Sequence, residues 1–168
     1  MSDQEDKLQG LGGWLILVAA GLILSEIIWL KNFFEFLTPL YMDDGWSKLT
    51  SPDSMNYDSA WLPLIIWNLT YMFIIICANT ALIYLFFSKN YIFPKAYIIT
   101  AGIAIIFIPI NSWLLTFPCP YEPTFDSDTV RDLGRGLVSA CIWFPYMLLS
   151  KRVKNTFVKK SDATDLLV

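Results

Sequence analysis

Among the polar side chains that interrupt the long apolar segments of this 168-residue chain, five are considered together: Glu26, Asn68, Asn111, Ser112 and Arg135. An ionisable group inside a membrane segment is costly, so it usually pairs with another polar group or faces a water-filled cavity. Such groups often mark pathways for substrates, ions or protons. These five residues are therefore the sequence's candidate polar cluster.

The segments that must position this cluster are four apolar blocks, residues 11–30, 61–87, 96–117 and 133–149. A helix needs about 20 apolar residues to cross a bilayer core, with a range of roughly 17–25. Hydrophobic residues make up 55% of the chain and charged residues 16%. The longest gap between blocks, residues 31–60, is too short for a soluble domain. We therefore expect one all-α domain over residues 1–168, a four-helix transmembrane bundle with a longer first outer loop.

Comparing depths along the predicted spans, at about 1.5 Å per residue, puts all five polar residues in the outer third of the membrane. Glu26 and Arg135 have opposite charges and lie next to the small residues Ser25 and Gly136, so an ion pair between them is compatible with this placement. Two interpretations stay open. The cluster is either interhelical hydrogen bonding that fixes the packing, or a small polar cavity open to the outside that holds a ligand, ion or proton.

Two pairs of small residues predict close helix contacts, since small side chains four residues apart let two backbones approach. They are Gly21 with Ser25 and Gly136 with Ala140. After the first block, apolar residues continue at helical spacing, which predicts that the helix runs on along the interface until Pro39 bends or ends it. Residues 43–46 read as a turn.

The distribution of lysine and arginine predicts the orientation. With four spans both termini share a side, and that side carries more basic residues than the other. By the positive-inside rule we expect both termini to be cytoplasmic. The N-terminal segment is acidic, which favours an uncleaved first span over a signal peptide.

Aromatic and basic residues at the end of the fourth block form a second candidate site. Its members are Trp143, Tyr146, Lys151, Arg152 and Lys154. Each basic residue near an anionic leaflet contributes about 1 kcal/mol of attraction. This segment could dock anionic lipid headgroups or a partner helix. The alternative is a plain topology anchor, with Phe157 resting in the interface.

The motifs that usually indicate catalysis or metal binding are missing from the sequence. There is no histidine, and Cys77, Cys119 and Cys141 are isolated rather than paired at metal-ligand spacing. No HExxH or GxSxG pattern occurs, so we expect no enzyme activity, no catalytic residue, no metal site and no cofactor. A basic stripe with interleaved aromatics is also missing, so nucleic-acid binding is not expected.

Both ends of the chain resemble a known family. The segments GLGGWL (residues 10–15) and WFPYMLLSKRVKNTF (residues 143–157), with Arg131 and Arg135 ahead of the last block, are similar to the YdgK-like family of small four-span bacterial inner-membrane proteins of unknown function. The resemblance implies a bacterial inner-membrane location and four spans, and it implies no activity.

Two functions follow as expectations. The first is a non-enzymatic accessory or scaffold subunit that binds a membrane-protein partner, because the chain is small, has close-packing faces and carries no catalytic motif. The alternative is a small-solute or proton-coupled transporter, or a ligand-binding membrane protein, that uses the candidate polar cluster.

Overall fold

The computed structural model describes residues 12–42, 44–55, 57–119 and 123–157. Within these residues the chain forms six helices and no strand. The helices are α1 (Trp14–Met42), α2 (Gly45–Thr50), α3 (Trp61–Phe87), α4 (Phe93–Leu115), α5 (Ser127–Leu149) and α6 (Lys151–Thr156). The all-helical prediction is confirmed.

Three of the described helices, α1, α3 and α4, are long and apolar enough to cross a membrane. They indicate a membrane protein. Helix α5 is not one of the three, because its first half carries Asp128, Arg131, Asp132 and Arg135. It begins at Ser127 rather than at residue 133, so the helix that contains the predicted fourth span has a charged first half and a short apolar second half. The expected four-span bundle is therefore supported for three spans.

Helix boundaries match the prediction closely at α3 and less closely elsewhere. The first helix continues to Met42, with Pro39 inside it. The predicted continuation past residue 30 is confirmed, but Pro39 does not end the helix, since a proline there removes only one backbone hydrogen bond near the terminus.

Gly45 lets α2 fold back against the end of α1. A Cβ atom at Gly45 would lie 2.4 Å from the backbone oxygen of Pro39, so only glycine fits this approach. Asp44 precedes it with φ of 54°, in the left-handed region. The predicted turn thus exists at Asp44, while Asp43 lies outside the described residues and Trp46 belongs to α2.

The long helices pack in the order α1, α3, α4, α5. One end of the molecule, formed by the start of α1, the end of α5 and α6, is called the basic end here. The opposite end, formed by Met42, Trp61, Leu115 and Ser127, is called the loop end. At the basic end α1 and α5 meet, where the rings of Trp14 and Trp143 lie 6.5 Å apart.

Helix α6 closes the basic end. Val153 and Phe157 are 1% and 6% exposed, and the Phe157 ring stacks on Phe93 with centroids 4.8 Å apart. The expectation that Phe157 rests in the membrane interface is wrong. Its ring completes the hydrophobic core together with Phe86, because α6 turns beneath the helices after Ser150.

The two small-residue pairs behave differently. A Cβ atom at Gly136 would already lie 3.2 Å from Ile105 Cγ1, so α4 and α5 approach closely there as predicted. At Gly21 the same test finds no atom within 4 Å, because this glycine borders a cavity. The close contact predicted at Gly21 is therefore wrong.

Removing the Phe157 ring should open the core at the basic end. We expect Phe157→Ala to lower the free energy of unfolding by about 3 kcal/mol, the usual cost of emptying a buried aromatic site. The matched control is Phe73→Ala, since Phe73 is 64% exposed. Denaturant titration in detergent measures both variants, and equal losses would contradict the buried position of Phe157.

Candidate functional site

The candidate polar cluster divides into two groups at different depths. Asn68, Asn111 and Ser112 line one cavity of about 550 Å³ near the loop end. Glu26 instead contacts Asn79 on α3, which lies about 16 Å from Asn68 along the same helix, at about 1.5 Å per residue. The expectation that all five polar residues lie at one depth is wrong, since Glu26 lies much closer to the basic end.

Glu26 accepts hydrogen bonds at both carboxylate oxygens. Asn79 Nδ2 donates to Oε2 over 2.7 Å, and Thr80 Oγ1 donates to Oε1 over 2.7 Å. Asn79, only 7% exposed, also donates to the Leu22 carbonyl over 3.1 Å and accepts from Ser25 Oγ over 3.3 Å. These hydrogen bonds join α1 to α3 in the middle of their apolar lengths.

The ion pair considered between Glu26 and Arg135 is not formed. Among the described residues Glu26 takes part in no ion pair within 4.0 Å, and Arg135 Nη1 lies 3.7 Å from Asp132 Oδ1 on its own helix. The Arg135 side chain is 72% exposed. Glu26 thus pairs with Asn79 and Thr80 across the antiparallel contact of α1 and α3, whereas Arg135 pairs with Asp132.

The larger cavity, called the loop-end cavity, is walled by all four long helices. Polar lining comes from Asn32 of α1, Asn68 of α3, Asn111 and Ser112 of α4, and Asp128, Thr129 and Asp132 of α5. Aromatic lining comes from Trp29, Tyr71 and Phe107, where Tyr71 stacks on Phe107 and meets Trp29 edge to face at 5.8 Å. The cavity therefore combines hydrogen-bonding groups with ring faces.

Among the described residues, Asn111 has a buried side-chain oxygen, Oδ1, that receives no hydrogen bond. A buried acceptor without a donor costs about 1–3 kcal/mol. Asn111 is also one of the residues that line the loop-end cavity.

The next residue along, Ser112, and the start of α5 hold the connecting segment in place. The Ser112 hydroxyl donates to the Thr124 carbonyl. Asp126 caps α5 by accepting from the Thr129 backbone N–H over 2.8 Å. Hydrogen bonds from Thr129, assisted by nearby Arg131, lower the pKa of Asp126 below its ordinary value, so this cap is ionised at neutral pH and weakens only as pH falls through that lowered pKa.

Charged residues lie on α1 and α5 at the loop end, whereas α3 and α4 carry none there. The ion pairs Lys31–Glu35, Arg131–Asp128 and Arg135–Asp132 all lie at the loop end, with side chains more than half exposed. Beside them α3 and α4 stay apolar to their ends. The charged stretches of α1 and α5 border the loop-end cavity through Asn32, Asp128 and Asp132.

A second cavity, of about 300 Å³, lies toward the basic end and is called the inner cavity. Ser25, Asn79, Thr100 and Ser139 provide polar groups on its wall. Trp29 and Ala104 border both cavities. The two spaces therefore follow one another along the molecule, with the Trp29 ring at their junction.

With this geometry established, the family model described as Protein of unknown function (DUF2569) matches residues 8–158. The chain belongs to this family. The comparison with curated proteins and the comparison with solved structures found no match. The prediction of a family of unknown function is confirmed, and membership in DUF2569 carries no activity to this chain.

In this DUF2569 protein the second candidate site, at the basic end, is divided. Trp143 packs between Trp14 and Tyr146, with the Trp143 and Tyr146 ring centroids 5.9 Å apart. The Arg152 guanidinium lies against the backbone of Gly12, where a Cβ atom would come within 2.7 Å of Nη1. Lys151 and Lys154 are exposed. Only these lysines remain fully accessible to a headgroup or a partner.

Several residues that contact Glu26 or line the loop-end cavity were not chosen as site residues from the sequence. Asn79 and Thr80 stand out as polar residues in the second apolar block, but only the antiparallel register shows that they meet Glu26. Asp128 and Asp132 lay in the predicted outer loop, and the four-residue spacing that puts them on one helix face becomes visible once α5 starts at Ser127.

The hydrogen bond from Thr80 to Glu26 should appear as an energetic coupling. In a double-mutant cycle with Glu26→Leu and Thr80→Val, we expect a coupling of about 1 kcal/mol, within the range for hydrogen bonds between membrane helices. The control cycle combines Glu26→Leu with Arg135→Leu and should be additive. Unfolding in detergent measures both cycles, and coupling confined to the Arg135 cycle would contradict the observed pairing.

Proposed function

We propose that this protein is a non-enzymatic membrane protein that binds a small polar solute in the loop-end cavity. One observation carries the proposal: Asn111 offers a buried acceptor without a donor on the wall of a 550 Å³ cavity. Ligand cavities typically measure about 300–1,000 Å³ and combine apolar walls with a few placed polar groups. A bound solute or water supplies the missing donor after a small rotation of the Asn111 amide.

The charge distribution supports a water-filled entrance. Asp128 and Asp132 lie beside helices that are apolar to their ends, and charged groups at such depth are tolerated where they face water or protein. Lipid against this surface would leave the carboxylates and their arginine partners unsolvated. Water between α1 and α5 removes that cost.

We also propose how the chain lies in its membrane. The apolar half of α5, residues 137–149, is about 20 Å long, so it completes a fourth span only if its charged half borders the water-filled entrance. The proposal includes the YdgK-like assignment, a multi-pass bacterial inner-membrane location and cytoplasmic termini. The loop-end cavity then opens to the periplasmic side.

Transport is the natural extension of solute binding. The inner cavity continues beyond Trp29 toward the basic end and carries polar groups of its own. Movement of the Trp29 ring would join the two cavities, which share this residue. The alternative of a small-solute or proton-coupled transporter rests on this succession of cavities.

Cysteine labelling tests the open cavity. In a background where Cys77, Cys119 and Cys141 are replaced by serine, Asn111→Cys and Asn68→Cys should react with a membrane-impermeant maleimide added outside intact cells. Ile106→Cys is the matched control, since Ile106 is a 60% exposed apolar residue of α4. It should stay unlabelled because it faces lipid. Complete protection of Asn111 and Asn68 would overturn the proposal.

A second candidate function, an accessory or scaffold subunit, is supported by the position of Glu26. Ser25 and Asn79 line the inner cavity, whereas Glu26 and Thr80 do not. One residue step turns about 100° around a helix, which places the Glu26 carboxylate on the opposite side of the α1–α3 contact. There it lies between the exposed side chains of Ile23 and Leu30. A basic residue on a partner helix would form an ion pair with this carboxylate.

Affinity purification in native lipid nanodiscs tests this role. A stoichiometric membrane-protein partner should copurify with the natural chain and be lost with Glu26→Gln. The control is Glu35→Gln, because Glu35 pairs with Lys31 on the exposed part of α1. Recovery of only a monomer or a plain homo-oligomer from the natural chain would contradict the accessory role.

A further inference from the structure

The walls of the loop-end cavity also bear on the charge of its ligand. Its described lining includes two carboxylates, Asp128 and Asp132, and no lysine or arginine. The arginines that accompany these acids lie outside the lining, with Arg131 Nη2 2.6 Å and Arg135 Nη1 3.7 Å from their partners. An anion entering the cavity would meet carboxylates without a cation to receive it. A cation would meet the two carboxylates, whose arginine partners lie outside the lining.

Aromatic rings form the deeper wall. Tyr71 contacts both Trp29 and Phe107, and all three residues line the cavity. A ring face attracts a cation through its quadrupole, most strongly for tryptophan, and more so where water is excluded. The same wall therefore favours a positively charged group attached to an apolar body.

The uncharged polar groups add a preference for hydrogen-bond donors. Asn32, Asn68 and Asn111 line the cavity with amide side chains, and the buried Asn111 oxygen has no donor of its own. An ammonium group carries up to three N–H donors and no acceptor. It thus matches both the carboxylates and the unpaired carbonyl.

We infer that the loop-end cavity binds small organic cations that carry N–H donors, in the class of primary and secondary ammonium compounds. Asp132 attracts the positive charge, Asn111 accepts a hydrogen bond from the ammonium group, and the rings of Trp29 and Tyr71 hold the apolar part. This inference rests on the proposed function, since it names the ligand class of the same cavity.

Four probes with a shared benzyl or phenyl body test the inference. They are benzylammonium, benzyltrimethylammonium, benzyl alcohol and benzoate, titrated calorimetrically into protein in phosphatidylcholine nanodiscs, with empty discs subtracted. We expect benzylammonium to bind most tightly. Benzyltrimethylammonium keeps the charge but has no N–H, so it should bind about tenfold more weakly, the loss expected for one charged hydrogen bond. Benzyl alcohol should bind weakly and benzoate not at all.

Variants assign these preferences to the named residues. Asn111→Leu should abolish the preference for benzylammonium over benzyltrimethylammonium, and Asp132→Asn should weaken both cations alike. The control Asp53→Asn changes an exposed carboxylate outside the cavity lining and should leave binding unchanged. Retention of the full preference in Asn111→Leu would overturn the assigned hydrogen bond.

The outcomes separate this inference from the proposed function. Equal or tighter binding of benzyl alcohol or benzoate would overturn the cation class while solute binding stands. Absence of binding by every probe, with Asn111→Cys still labelled from outside, would also overturn the cation class and leave a hydrated cavity. Absence of both binding and labelling would overturn the proposed function itself.

Discussion

The structure depends on one constraint, that a polar group at membrane depth needs a partner or water. Helices α3 and α4 meet it at their loop ends, where they are apolar apart from a few amides and hydroxyls. Helices α1 and α5 meet it differently, since each carries charges over the part that lies beside the loop ends of α3 and α4. The loop-end cavity lies where these two kinds of helix meet, and both kinds contribute to its polar lining.

Polar side chains then serve two separate purposes along the molecule. Toward the basic end, Glu26, Asn79 and Thr80 satisfy one another and join α1 to α3. Toward the loop end, Asn68 and Asn111 border open space instead. The first arrangement fixes the packing of helices, whereas the second leaves groups available to a solute. Under the proposed function, the two interpretations that the sequence left open apply to different parts of the cluster.

Much of the fold could be predicted from the sequence, because long apolar runs give helices whose type hardly depends on tertiary contacts. The bounds of α3 illustrate this. The charged start of α5 could not be assigned by hydropathy, since its Asp and Arg residues read as loop until their helical spacing is known. Likewise, equal depth for Glu26 and Asn68 assumed that the first membrane span ends near residue 30. Pairing with Asn79 instead shifts Glu26 toward the basic end, and the rest of α1 continues to Met42.

The central claim is that water reaches the loop-end cavity between α1 and α5. Water-edited solid-state NMR in lipid bilayers measures this directly, through the rate at which water protons transfer polarisation to side-chain amides. The account predicts fast transfer to the amides of Asn68 and Asn111, and slow transfer to the lipid-facing methyl groups of Ile106. Equally slow transfer at all three residues would mean that the cavity is dry, and the account would be contradicted.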